Sequence, residues 1–121
     1  MCPSFDHGKG DPVDDDIRIL PEHRVVLAEG NYVLLDIPPW TQLHAGETPL
    51  FDDAWFLDID VDTAMERVFQ RQTAIGLAPE VSRGRIAGND RPNAEIVTLS
   101  KLNARVLVPS NVPFAADQTQ G

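Results

Sequence analysis

The chain has 121 residues, and its ten lysines and arginines against nineteen aspartates and glutamates give a formal charge of −9. This length predicts one domain, and no apolar run approaches the ~20 residues of a membrane-spanning helix. The acidity disfavours a protein that binds nucleic acid or an anionic membrane, because a partner of the same sign is repelled. The single cysteine, Cys2, excludes a disulfide framework and a multi-cysteine zinc site. Since the chain opens without a secretory signal pattern, we expect a cytoplasmic protein.

Three short strands are predicted along the chain. The first 22 residues are polar and rich in glycine and proline, which predicts a loop. A β-branched run at 24–28 predicts the first strand, a continuous apolar run at 54–59 the second, and a similar run at 104–108 the third. Runs of this kind are typical of strands that are buried on both faces of a parallel sheet.

Helices are predicted between the second and third strands. The first helix carries Thr63 and Glu66 at the spacing of a capping box and ends at Gly76. The second begins at Pro79, and Asn93 caps a short third helix. Strand–helix–strand order predicts an α/β fold with a parallel sheet. Sheets of this class bind ligands beyond the carboxyl ends of their strands.

The order of elements also sets the expected extent of the folded domain. We expect a single domain over residues 1–112. Residues 113–121 carry no apolar pattern, which predicts a disordered tail.

The segment around Lys9 does not form a phosphate-binding P-loop. The motif G-x-x-x-x-G-K-[ST] needs glycine where the chain has Pro3, and serine or threonine where it has Gly10. We therefore interpret this segment as a turn.

Arginines are concentrated in the predicted helices, where five of the ten basic residues lie between positions 67 and 91. Arg67 and Arg71 are four residues apart, so they share one face of a helix. Arginine forks suit phosphate oxygens, and a mobile pair of such helices would suit a lid over a transferring phosphoryl group. The alternative is a solvated helix face on which Glu66 is a local ion partner.

Two further places carry chemically useful side chains. Asp6 beside His7 can hold a polar substrate or take part in proton transfer, although such a pair also caps turns. Glu29 directly follows a predicted buried strand, where a carboxylate can order magnesium or its waters. The alternative for Glu29 is a cap or turn residue.

Taken in this order, the motifs resemble the uridine kinase, phosphoribulokinase and pantothenate kinase group of P-loop kinases, and specifically its nucleoside-kinase-like branch. The resemblance covers roughly residues 3 to 112 and is carried by Pro-Ser-Phe-Asp-His at 3–7, Glu-Gly-Asn-Tyr at 29–32 and Asn-Asp-x-Pro-Asn at 89–93. It implies a parallel sheet with strand order 2-3-1-4-5. It also implies ATP and Mg²⁺ as cofactors and a nucleoside, sugar or pantothenate-like acceptor.

The resemblance implies roles for five residues. Asp6 and His7 would lie near the substrate that accepts the phosphate. Glu29 would be a catalytic residue at the end of a core strand, in the shell of metal and water. Arg67 and Arg71 would belong to the lid helix that reaches the ATP phosphates. No residue of the chain is assigned as a direct metal ligand.

One departure from the family pattern is large. The family's Walker A loop, first helix, second strand and usual catalytic aspartate lie upstream of the motif that here begins at Pro3. The chain therefore looks like the C-terminal half of such a kinase, with an incomplete parallel sheet of three strands and lid helices. We expect ATP-dependent phosphoryl transfer to a small-molecule hydroxyl from the family, and little or none from this chain alone.

The alternative function is that of a degenerate, non-catalytic kinase fragment that acts as an interaction module. The incomplete sheet bears on both functions, because open strand edges are sites of association. We therefore expect either self-association or a partner that covers the open edge.

Overall fold

A hairpin opens the fold. The computed structural model describes residues 2–5 and 12–111. Strand β1 (Cys2–Phe5) pairs antiparallel with β2 (Pro12–Ile17). The expected loop over the first 22 residues is therefore wrong at these two segments. Two short runs on either side of a glycine-rich stretch are a hairpin pattern, which the polar composition concealed. Asp6, His7 and the predicted tail at 113–121 lie outside the described residues.

A parallel pair of strands forms the second sheet. Strand β3 (Trp55–Asp58) lies beside β4 (Val106–Pro109), in register from Trp55 opposite Val106 to Asp58 opposite Pro109. This pair confirms the predicted α/β class and the parallel sheet, but the sheet has two strands where three were expected. The predicted strand at 24–28 is wrong, since these residues form no strand in the structure. A strand exists only through its hydrogen-bonded neighbour, and the described residues provide none for this segment.

Helical segments fill the interval between β3 and β4, and one short helix precedes β3. In chain order they are α1 (Thr41–His44), α2 (Val61–Ala74), α3 (Pro79–Arg85), a π-helical turn (Ile86–Asp90), α4 (Arg91–Leu99) and a 3-10 turn (Ser100–Asn103). The expected stop at Gly76 is confirmed, because this glycine has φ +98° just beyond α2.

The predicted start of α2 is wrong by about one turn. Its cap is Asp60, whose Oδ1 accepts a hydrogen bond from the Thr63 amide at 2.8 Å. The other carboxylate oxygen accepts a hydrogen bond from the Thr63 hydroxyl at 2.6 Å. Thr63 is thus the residue that the cap binds, because a carboxylate three residues upstream is the better acceptor for the free amides of the first turn.

A partly buried polar network joins the helices. Ser82 of α3 is fully buried, and its hydroxyl donates to Gln72 Oε1 of α2 at 2.8 Å. The Gln72 amide nitrogen donates in turn to Asp90 Oδ2 in the π-helical turn at 3.2 Å. Asn93 donates to Asn89 Oδ1 at 3.2 Å from inside α4, so it does not cap that helix as expected. The Asn-Asp-x-Pro-Asn motif therefore has a structural role at this junction.

The apolar core of the described residues is small. The buried apolar side chains are Leu34, Leu35 and Met65. The segment that carries the two leucines is held by side chains, since Asn103 Nδ2 donates to the Leu34 carbonyl at 2.8 Å and His44 Nε2 lies 3.1 Å from the Leu35 carbonyl. Many large apolar side chains stay exposed, including those of residues 25–27 and two on β3.

Replacement of Ser82 by alanine tests the buried network. In Ser82→Ala, Gln72 Oε1 loses its donor in a partly buried position, so we expect a loss of about 1–2 kcal/mol in the free energy of unfolding. Urea unfolding followed by circular dichroism measures it. Arg85→Ala, on the exposed surface of the same helix, is the control and should stay within about 0.5 kcal/mol. Equal effects of the two substitutions would contradict the network.

Candidate active site

Arg67 ties helix α2 to the end of the parallel sheet. Its Nη1 donates to the Ser110 hydroxyl at 3.0 Å, and its Nη2 donates to the Ser110 carbonyl at 3.1 Å. Ser110 directly follows β4, and its amide donates to the carbonyl of Asp58 at the end of β3 at 2.8 Å. Arg67 therefore lies at the carboxyl ends of both strands. This is the edge at which open α/β sheets bind their ligands.

Arg71 lies one turn further along the same helix. The helix is continuous from Val61 to Ala74, so the predicted shared face of Arg67 and Arg71 holds geometrically. Within the described part of the chain, the Arg71 side chain makes no hydrogen bond or ion pair. Glu66, the expected ion partner of a merely solvated face, accepts a hydrogen bond from Gln70 at 3.1 Å instead. The helix thus presents one anchored and one uncommitted guanidinium.

Acidic groups surround the same edge of the sheet. Asp58 forms an ion pair with Lys101, whose Nζ lies 3.5 Å from Oδ1. The Thr63 side chain and then the Thr63 amide lower the pKa of the Asp60 carboxyl through hydrogen bonds, and the charge of Arg67 adds a smaller effect in the same direction. Asp60 therefore carries its full charge at neutral pH.

No direct magnesium site is formed by this arrangement. Over residues 2–5 and 12–111, no group of three or more His, Cys, Asp or Glu side chains is arranged to hold a metal ion. The described residues alone therefore do not provide a ligand set for Mg²⁺.

Glu29 occupies a different environment. It lies in the irregular segment before the turn at 31–34 and lines a cavity of about 240 Å³ beside β3. A side chain at the neighbouring Gly30 would approach Val33 Cγ1 to 3.1 Å, so this turn favours glycine. No contact among the described residues joins Glu29 to Arg67 or Arg71. Among the described residues, Glu29 is therefore not clustered with Arg67 and Arg71.

A second cavity, which the sequence analysis missed, lies among α2, α3, the π-helical turn and α4. It has a volume of about 330 Å³, and Met65 and Phe69 are part of its lining. The Arg83 guanidinium carbon lies 4.5 Å from the Phe69 ring centroid, and Arg91 Nη2 lies 2.8 Å from Asp62 Oδ1. These two arginines thus face this cavity, whereas Arg67 faces the sheet edge. Asp62 and Phe69 lie on the face of α2 opposite Arg67 and Arg71. This helical spacing is the sequence pattern that could have indicated a second site on that face.

Several known proteins similar to this chain are kinases by name, although no protein-family model matches it. The ATP-dependent kinase-like protein notR' of Aspergillus versicolor is 36% identical over 113 residues, which are 92% of this chain and 63% of that protein. A protein named as a uridine kinase in Schizosaccharomyces pombe is 42% identical over 76 residues, 63% of this chain and 31% of its own length.

A solved structure matches the fold as well. The crystal structure described as a fructose transport system kinase from Silicibacter sp. TM1040 superposes with a TM-score of 0.78 at 31% identity. The match covers 88% of this chain and 50% of the Silicibacter chain. These matches support a P-loop kinase-like family for the part of the fold that the chain covers. The chain corresponds to part of a kinase fold, since it spans 63% or less of the length of these relatives. No helix in residues 2–5 and 12–111 combines the length and apolar character that crossing a bilayer requires.

Removal of the Arg67 side chain tests the tie between α2 and the sheet. Arg67→Ala deletes both hydrogen bonds to Ser110, so the segment after β4 should open more often. We expect the Ser110 amide to exchange with deuterium several-fold faster, as measured by NMR. Arg71→Ala lacks such a contact to lose and serves as the control. Unchanged exchange in Arg67→Ala would show that this tie does not hold the segment.

The pH dependence of stability tests the cap at Asp60. The folded pKa lies below the ordinary value of 3.8, so the charged cap stabilises α2 above that pH and loses its effect as the pH falls through the folded pKa. Asp60→Asn keeps the acceptor but cannot titrate. We expect the melting temperature of the native chain to fall more steeply than that of Asp60→Asn between pH 5 and pH 2. Parallel curves would contradict the assignment.

Proposed function

We propose that this chain supplies the lid helix and the acceptor side of an ATP-dependent kinase. The assembled protein transfers the terminal phosphoryl group of ATP to a hydroxyl of a small molecule, of the nucleoside, sugar or pantothenate-like class. The observation that carries the proposal is the position of Arg67 at the carboxyl ends of β3 and β4, held there by Ser110. The kinase names of relatives with 31–42% identity support the same activity.

The two α2 arginines suit phosphate binding. A guanidinium has five N–H donors, and Arg67 uses two of its donor nitrogens on Ser110. Arg71 follows one turn later with its donors uncommitted among the described contacts. Residues four apart on a helix have Cβ atoms about 5–6 Å apart, which suits two neighbouring phosphates. Arginine placed there would stabilise the charge that spreads over the phosphoryl oxygens during transfer.

The remaining proposed residues would act on the acceptor side. Asp6 and His7, which lie outside the described residues, would bind the acceptor and take the proton that its hydroxyl releases as the new P–O bond forms. Glu29 would contribute a carboxylate to the shell of metal and water.

The chain by itself lacks a phosphate cradle. The printed sequence contains no G-x-x-x-x-G-K-[ST] motif, whose backbone amides and lysine hold the phosphates in this class of enzyme. Positioning and electrostatic stabilisation account for nearly all phosphoryl-transfer catalysis. We therefore expect activity only after the rest of the kinase fold is supplied.

Loss of both α2 arginines tests the function. The 121-residue chain is assayed together with the part of the Silicibacter protein that it does not match, with fructose and uridine as acceptors and ADP release as the readout. Arg67→Ala combined with Arg71→Ala should lower kcat by about 100-fold or more, because phosphate charge is left without its donors.

The matched control for this assay is Arg105→Ala. Arg105 pairs with Asp53 before the strands begin, at the end opposite Ser110, and should leave turnover unchanged. If the double variant turns over at the native rate, the α2 arginines do not bind the phosphates during transfer. Absence of turnover with every acceptor would favour the non-catalytic interaction module instead.

A further inference from the structure

Helix α2 has a face that takes no part in the contact with the sheet. Asp62, Met65 and Phe69 are three and four residues apart, so they share this face, which points away from Arg67. Together with α3, the π-helical turn and α4, they border a space of about 330 Å³, which we name the helical cavity. The helical cavity is therefore separate from the end of the sheet at which Arg67 meets Ser110.

The lining of the helical cavity is apolar where α2 meets the π-helical turn. Met65 is buried, Phe69 and Ile86 are half-buried, and Ala87 completes this part of the lining. Small-molecule pockets span about 300–1,000 Å³ and combine an apolar lining with a few polar groups. The helical cavity lies at the lower end of this range, so it suits a ligand that has few atoms and an apolar part.

Guanidinium groups from α3 and α4 border the apolar lining. The Arg83 guanidinium carbon lies 4.5 Å from the Phe69 ring centroid, a distance at which the ring face attracts the cation. Among the described residues, no hydrogen bond or ion pair engages the Arg83 side chain. Arg91 uses Nη2 on Asp62 Oδ1 at 2.8 Å and keeps the donors of its other nitrogens. A guanidinium group binds a carboxylate through two parallel hydrogen bonds, so this side of the cavity favours a carboxylate.

Carboxylates from α2 border the same cavity. Glu66 and Asp62 lie one turn apart, and Asp62 is already paired with Arg91. Glu66 accepts a hydrogen bond from Gln70 through Oε1 at 3.1 Å, and its Oε2 has no hydrogen-bond partner among the described residues. An ionised carboxylate only accepts hydrogen bonds, so this position favours an ammonium group.

We propose that the helical cavity binds a free α-amino acid with an apolar side chain. Arg83 would hold the α-carboxylate of this ligand, and Glu66 would hold its α-ammonium group. The apolar side chain of the ligand would cover Met65 and Ile86. A ligand of this class matches all three parts of the lining, because it carries one charge of each sign and an apolar group.

Ligands with a single charge match the cavity less well. A simple anion would bring its charge close to Glu66 and Asp62, and a simple cation would bring its charge close to Arg83 and Arg91. A zwitterion places each of its charges opposite a group of the other sign. The inference does not depend on phosphoryl transfer, since none of the residues assigned to that reaction lines the helical cavity.

The test titrates the full 121-residue chain, labelled with ¹⁵N, with L-leucine. We expect saturable shifts of the Phe69 and Ala87 amide signals in NMR spectra and the same dissociation constant from calorimetry. Three analogues each lack one recognised group: isocaproate lacks the ammonium group, isoamylamine lacks the carboxylate, and glycine lacks the apolar side chain. Each analogue should bind more weakly than leucine by about tenfold or more, because it loses a charged hydrogen bond or apolar burial.

A pair of substitutions assigns the two charged groups of the ligand. Arg83→Ala should weaken leucine binding by about tenfold and leave isoamylamine binding unchanged, because that analogue has no carboxylate. Glu66→Gln keeps the size of the side chain, and it should weaken the binding of leucine but not that of isocaproate. Arg85→Ala is the matched control, since Arg85 is exposed on the same helix as Arg83 and does not line the cavity. Glu66 is exposed as well, so Glu66→Gln decides the matter even where Arg83→Ala loosens the helices.

Three results would overturn the proposal. One is the absence of saturable leucine binding. Another is an affinity for isocaproate that equals the affinity for leucine, since the cavity would then bind simple anions. The third is a set of shifted signals centred on Ser110 and not on Phe69 and Ala87, which would place the ligand at the end of the sheet. None of these readouts measures turnover, so their failure is distinct from failure of the kinase function.

Discussion

Parallel pairing of β3 with β4 obliges the chain to leave the sheet at one end and return to the other. A connection of this kind needs a dozen or more residues, and here α2, α3, the π-helical turn, α4 and the 3-10 turn make it. The Ser82–Gln72–Asp90 network holds this connection compact. Because β4 pairs with β3, Ser110 lies beside Asp58. In this position the Ser110 hydroxyl accepts a hydrogen bond from Arg67.

Helix α2 links the two regions of the molecule that carry concentrated charge. One face places Arg67 on Ser110 at the end of the sheet, and the opposite face turns Phe69 toward Arg83 in the helical cavity. A helix that makes contacts on two opposite faces is held in one position, which fixes where its side chains lie. The fold thus separates the arginines that face the helical cavity, Arg83 and Arg91, from Arg67 at the end of the sheet.

The predictable part of this structure follows from local patterns. The apolar run at 54–59 and the stop at Gly76 correctly indicated β3 and the end of α2, because burial pattern and backbone preference are properties of short segments. The strand predicted at 24–28 failed for a different reason, since pairing depends on a neighbour and not on the segment itself. Contacts between residues far apart in the sequence, such as that between Arg67 and Ser110, could not be predicted either. The helical spacing predicted that Arg67 and Arg71 share one face, but it did not predict which residues that face contacts.

The register of the parallel pair also governs how the chain must fold. Trp55 and Val106 are about fifty residues apart, so their contact comes only after a large loop has closed, at a substantial cost in chain entropy. Contacts within the α2–α4 connection are local and need no such closure. Before β4 pairs with β3, both edges of β3 carry unpaired backbone groups. Each edge can then pair with a strand of another molecule. Early closure of the helical connection shortens that interval and protects the nascent strand.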